Sequence, residues 1–146
     1  MFHTFYTQYS LLAVIGACAV FAVWKGGWPE RVGAGVNLII ALCMEIAQRN
    51  LAGDSLATAA LAIDGVLALS FLALAVRFAK VWLGLAMLLQ AAQFSLHAYY
   101  YVMERALDTP FAVVNNLVSW GVIFCIVGGV AGHWLNETRR RRAATA

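Results

Sequence analysis

Charge is scarce in this chain. Lys, Arg, Asp and Glu make up 12% of 146 residues, about half the share in a soluble domain. The residues that would mark an enzyme are missing as well: there is no G-x-S-x-G, no phosphate-binding P-loop, no dinucleotide glycine fingerprint and no H-E-x-x-H. The Gly26-Gly27 pair is a turn element rather than a phosphate cradle. No catalytic activity is therefore expected. Cysteine occurs three times, as Cys18, Cys43 and Cys125, each inside a separate apolar stretch and without a C-x-x-C. An odd count in apolar surroundings excludes a disulfide framework and a zinc site, leaving small packing residues.

What the chain has is apolar bulk. Hydrophobic residues make up 63% and mean hydropathy is +0.78. A soluble fold of this size cannot hide so much apolar surface, so the bilayer has to act as solvent. Net charge is +3, but the run Arg139 to Arg142 accounts for it. Basic residues beside a membrane segment set topology or meet anionic lipid, so no nucleic-acid partner is expected.

Five apolar segments, about 9–24, 32–48, 56–76, 81–103 and 111–135, predict an all-α, polytopic membrane bundle in a single domain, followed by a basic tail at 136–146. The runs are continuous rather than alternating, which excludes a β-barrel. The last three are long enough for the ~20 residues a crossing needs, while the first two are marginal. Breakers separate them: "KGGWPER", with Gly26-Gly27 closing one helix and Pro29 opening the next; "RNLAGDS", with Asp54 or Ser55 as N-cap; "RFAK"; and "ERALDTP", with Asp108 or Thr109 as N-cap. Ile15 to Cys18 loosely matches a lipoprotein cleavage box, yet the ten residues "MFHTFYTQYS" carry no Lys or Arg. The first segment is expected to be retained.

If all five segments cross and the tail is inside, eight of the ten Lys and Arg residues fall inside; only Arg49 and Arg105 fall outside. That is the positive-inside pattern, so the N-terminus is expected outside and the C-terminus inside. Aromatics sort the same way. Tyr6, Tyr9, Tyr99, Tyr100 and Tyr101 form an outer belt, Trp24, Trp28, Trp82 and Trp134 an inner one, and Trp120 is mid-span.

Polar side chains inside the apolar segments are the candidate site. Gln90, Gln93, His97 and Tyr101 share one face of the fourth helix. Glu45 on the second helix (in line with Asn37, Ala41 and Gln48), Asp64 on the third, and Asn115 and Asn116 on the fifth are placed at similar depth, so all are expected to converge in the outer half. An ionisable residue there costs ~2.5–3.5 kcal/mol to insert, which makes it a functional candidate by default. The competing reading is interhelical hydrogen bonding alone. No H-x-x-x-H or E-x-x-H accompanies these residues, and His97 and His133 belong at opposite ends, so neither a metal nor a haem is expected. Gly121, Gly128 and Gly132 on the fifth helix mark a close-packing face, expected to meet a helix of the same chain.

"WPERVGAGVNLIIAL", Asp64, Trp82, "LHAYYY", Trp120 and "GGVAGHW" before the arginines resemble an uncharacterised family of small integral membrane proteins from alphaproteobacteria, over residues 28 to 142. The resemblance implies a bacterial inner-membrane location and carries no activity, cofactor or catalytic residue. The expected function is a non-enzymatic accessory or assembly subunit, with other membrane subunits, self-association and the lipid bilayer as partners. The alternative is an oligomeric transporter or channel moving a proton, ion or small polar solute through the polar cluster.

Overall fold

A computed structural model describes residues 2–105 and 108–144, with side chains from Ser10 onward. It is all-α among these residues: α1 (Phe2–Lys25), α2 (Trp28–Asn50), α3 (Gly53–Phe78), α4 (Val81–Val102) and α5 (Thr109–Ala144). α3, α4 and α5 are each long and apolar enough to cross a membrane. Most boundaries lie within a few residues of those expected, with instructive exceptions.

α1 begins at Phe2, so the polar stretch before Tyr9 continues the apolar helix rather than leading into it. The side chains of His3, Tyr6 and Tyr9 lie outside the described residues. α2 starts four residues earlier than expected because Pro29, with its preset φ, opens the first turn. The α1–α2 link is only Gly26-Gly27, as the breaker residues implied. Gly26 must lack a side chain, since a Cβ there would stand 2.5 Å from the Ala22 carbonyl oxygen and 2.9 Å from Glu30 Cβ.

The start of α3 differs from expectation. Its N-cap is Ala52, without a side-chain hydrogen bond. Ser55 and Thr58 instead donate backward, to the carbonyls of Ala52 (2.7 Å) and Asp54 (2.9 Å). Gly53 takes φ +59 there, so glycine, not a capping oxygen, makes this turn. α5 does start on Asp108, whose Oδ1 accepts the Phe111 N–H at 3.0 Å. Its far end runs through the arginines to Ala144, so the described part of the basic tail extends the last helix.

Links of two residues between α1 and α2, α2 and α3, and α3 and α4 force neighbours antiparallel. Each helix packs on the next, and α5 returns to α1, closing a five-membered ring. Ala22, Phe71, Leu83, Ala86, Ile126 and Val130 fill its centre. Outward faces carry exposed Val20, Ile39, Leu69, Leu85, Leu117 and Phe124, an apolar exterior suited to hydrocarbon. The alternation puts Lys25, Arg31, Arg77, Lys80 and the arginine run at one end, called here the basic end. Arg49, Arg105 and Tyr99 to Tyr101 lie at the other, the tyrosine end.

Two aromatic expectations change. Tyr99 and Tyr101 are exposed, but Tyr100 is buried and donates its hydroxyl to Asp108 Oδ1 at 2.5 Å. Trp24, Trp28 and Trp134 are exposed, whereas Trp82 is a wedge inside the bundle. Its ring lies where a Cβ on Gly33 or on Gly129 would stand, at 2.8 and 2.7 Å.

Candidate functional site

The polar stripe of α4 meets one acid. Asp64, on α3, is buried opposite Gln90 and Gln93. Both glutamine amides donate to its Oδ1, at 3.4 and 3.5 Å, long bonds that leave the carboxylate only softly held on that side. Its Oδ2 is in direct contact with His97 Nδ1. Neither atom has another hydrogen-bond partner among the described residues. The contact brings a carboxyl and an imidazole together across the α3–α4 seam.

The first turn of α5 closes the group on the tyrosine side. The ring of Phe111 packs edge-on against His97, with centroids 4.9 Å apart, and against Tyr100 at 5.0 Å. Tyr100 passes to Asp108, and Arg105 Nη2 lies 3.5 Å from Asp108 Oδ2. The Tyr100 hydroxyl, followed by the Phe111 N–H, holds the Asp108 carboxyl below its ordinary range. Farther out, the Thr58 hydroxyl of α3, its own proton given to the Asp54 carbonyl, lies 3.3 Å from the Tyr101 hydroxyl and can accept from it. Nothing in this set is a nucleophile activated by a base.

Glu45 forms an ion pair at 2.8 Å with Arg49, one turn along its own helix. Asn116 is exposed and Asn115 half-buried; the only hydrogen bond described at Asn115 is the one its carbonyl accepts from Ser119. The described contacts of Asp64 come from Gln90, Gln93 and His97 of α4. Among the described residues, no three His, Cys, Asp or Glu side chains gather in a metal-binding arrangement.

A second buried acid went unnoticed in the sequence. Glu30, at the basic end, is 2% exposed. Its Oε1 accepts from Trp82 Nε1 at 3.3 Å, and its Oε2 has no hydrogen-bond partner among the described residues. A Cβ on Gly27 would touch both this Oε2 (2.9 Å) and His133 Cε1 (2.8 Å), so α1–α2, α4 and α5 meet here. Its signal was the face Glu30, Gly33, Ala34 and Asn37, all buried on α2 at helical spacing. Reading "KGGWPER" as a loop concealed it.

The glycines of α5 divide. Gly121 packs on Leu89, whose Cδ1 would lie 2.8 Å from its Cβ, while Gly128 and Gly132 face open space. Gly129, not one of the expected glycines, is the one pressed against Trp82. Comparison with family models, with curated proteins and with solved structures gives no match.

Proposed function

We propose that this chain is a non-enzymatic accessory or assembly subunit of a larger membrane complex. The observation that carries this reading is the uncovered Gly128 and Gly132 pair on α5. A small-xxx-small face lets another helix approach closely in lipid, where dispersion contacts rather than the hydrophobic effect drive association. Among the described residues, no atom of another element lies within 4 Å of a Cβ placed at either glycine. The polar group at Asp64 favours the same reading, since its contacts join α3 to α4 and Phe111 closes it.

Five crossings, with the N-terminus outside and the tail inside a bacterial inner membrane, belong to the proposal. α1 and α2, with 24 and 23 residues, reach about 35 Å, enough for a core of about 30 Å. The basic end holds eight of the ten cationic side chains, and the family resemblance points to the same membrane.

Native mass spectrometry of the full chain, purified in gentle detergent, tests this. A stoichiometric partner subunit or second copy is expected, lost in Gly128→Leu/Gly132→Leu while the helical circular dichroism stays unchanged. A monomer that carries protons across proteoliposomes, and stops doing so in Asp64→Asn, would replace this reading with the transporter one. That alternative draws on the Asp64–His97 contact, a carboxyl and an imidazole side by side inside the bundle.

A further inference from the structure

At the basic end, α1, α2 and α5 leave a cleft of about 370 Å³. Lys25, Arg31 and Arg141 line it with a single carboxylate, Glu137, between Trp24 and Trp134. Each polar group has a stated partner. Lys25 Nζ lies 4.5 Å from the Trp24 ring centroid and 5.3 Å from that of Trp134. Arg31 Nε donates to the Gly26 carbonyl at 3.1 Å. Arg141 pairs with Glu137 at 2.5 Å and holds that carboxyl below its ordinary range. Three cations against one anion leave the cleft positive.

Trp24 and Arg31 also border a second, apolar depression of about 620 Å³ between α1 and α2. Ala19, Val20, Val23 and Leu38 wall it, and Gly16 and Gly35 line it. Among the described residues, no atom of another element lies within 4 Å of a Cβ placed at either glycine, so the groove exists because both helices lack side chains there. It follows α1 from Gly16 to Trp24, about 12 Å along the axis. Its volume is in the range of small-molecule sites, about 300–1,000 Å³.

A cationic cleft that shares Trp24 and Arg31 with an apolar groove matches a molecule with one anionic end and a hydrocarbon chain. We infer that this joint site binds an anionic phospholipid, with its phosphate among Lys25, Arg31 and Arg141 and an acyl chain along Gly16 and Gly35. A cationic site at the ends of membrane helices recognises an anionic headgroup, each Lys or Arg near the surface strengthening the attraction. The flanking tryptophans suit the headgroup level, where an indole has apolar and hydrated neighbours at once. The inference goes beyond the subunit reading and does not use the Gly128/Gly132 face.

The test titrates the full chain in detergent with dioleoylphosphatidylglycerol, dioleoylphosphatidylcholine or inorganic phosphate, and counts retained adducts by native mass spectrometry. The phosphatidylglycerol adduct is expected to persist beyond the phosphatidylcholine one, and inorganic phosphate should not displace it. Lys25→Gln and Arg31→Gln should each lower phosphatidylglycerol retention about fivefold and leave phosphatidylcholine retention unchanged. Gly16→Leu and Gly35→Leu, on different helices and without a clash at Cβ, should weaken both lipids while helical circular dichroism is kept. Equal retention of the two lipids overturns the proposal. So does full displacement by inorganic phosphate, or groove variants that bind phosphatidylglycerol as the parent does.

Discussion

One methyl group added at Gly128 and one added at Gly129 should act in opposite directions. At Gly129 the new Cβ would stand 2.7 Å from Trp82 Cε2 and Nε1 and 2.8 Å from Cδ1. Ordinary carbon contacts need about 3.5–4.0 Å, so the indole must retreat by roughly 1 Å. Retreat is blocked, because the far tip of the ring abuts Gly33 and its N–H is tied to Glu30 at 3.3 Å. Overpacking of this kind costs about 1–3 kcal/mol. At Gly128 nothing lies within 4 Å, and replacing glycine by alanine in a helix gains up to about 1 kcal/mol. Both substitutions share that gain, so the two variants should differ by the overpacking cost alone, roughly 1–3 kcal/mol. Reversible unfolding in mixed micelles of rising dodecyl sulfate content, followed by far-ultraviolet circular dichroism, measures this. Tryptophan emission should shift only in Gly129→Ala. If Gly129→Ala proves as stable as Gly128→Ala, the wedge described for Trp82 does not hold the bundle.

The Asp64 group lends itself to a double-mutant cycle. Asp64→Asn and His97→Gln should show a coupling of about 0.6–2 kcal/mol, the scale of interhelical hydrogen bonds in membranes, and a value near zero would mean that their contact joins nothing. Asp64→Leu should cost more than Asp64→Asn, because it strands the amides of Gln90 and Gln93 together with His97. At the tyrosine end, Asp108 contributes through a carboxyl held below its ordinary range, so its contribution is complete above about pH 4 and is lost as pH falls through the lower folded value. The stability profile of Asp108→Ala should lack that acid limb; an unchanged limb would assign it to another group.

The helical skeleton was readable because long apolar runs between glycine, proline and polar breaks have few alternatives. Where particular boundaries moved, local chemistry did it. Pro29 drew the first turn of α2 forward, and Gly53 took over a start that Asp54 and Ser55 were expected to make. The Asp64 with Gln90, Gln93 and His97 association was legible from helical periodicity combined with antiparallel depth. Glu45, Asn115 and Asn116 were placed with it by depth alone, and the rotation of a helix about its own axis is set by side-chain packing that no one-dimensional pattern encodes. Glu30 was hidden for a related reason. A charged residue beside a proline reads as a loop until the burial of Gly33, Ala34 and Asn37 shows which way that turn points. Gly128 and Gly129 are neighbours in sequence, and only the position of the Trp82 ring tells a packed glycine from an open one.

The closed ring has a consequence for how the chain assembles. The contacts around Asp64 link residues about thirty positions apart across a two-residue turn, so that hairpin can be complete while the rest is still being made. The junction of Glu30, Trp82, Gly129 and His133 draws on α2, α4 and α5 together. Synthesis proceeds from the N-terminus, so until α5 emerges Glu30 sits at a half-built joint, and Trp82 has Gly33 on one side and no α5 on the other. α5 acts as a keystone: ring closure and completion of the joint around this carboxyl are one late event. A chain cut short before Gly129 would keep its first hairpins, but not the finished joint.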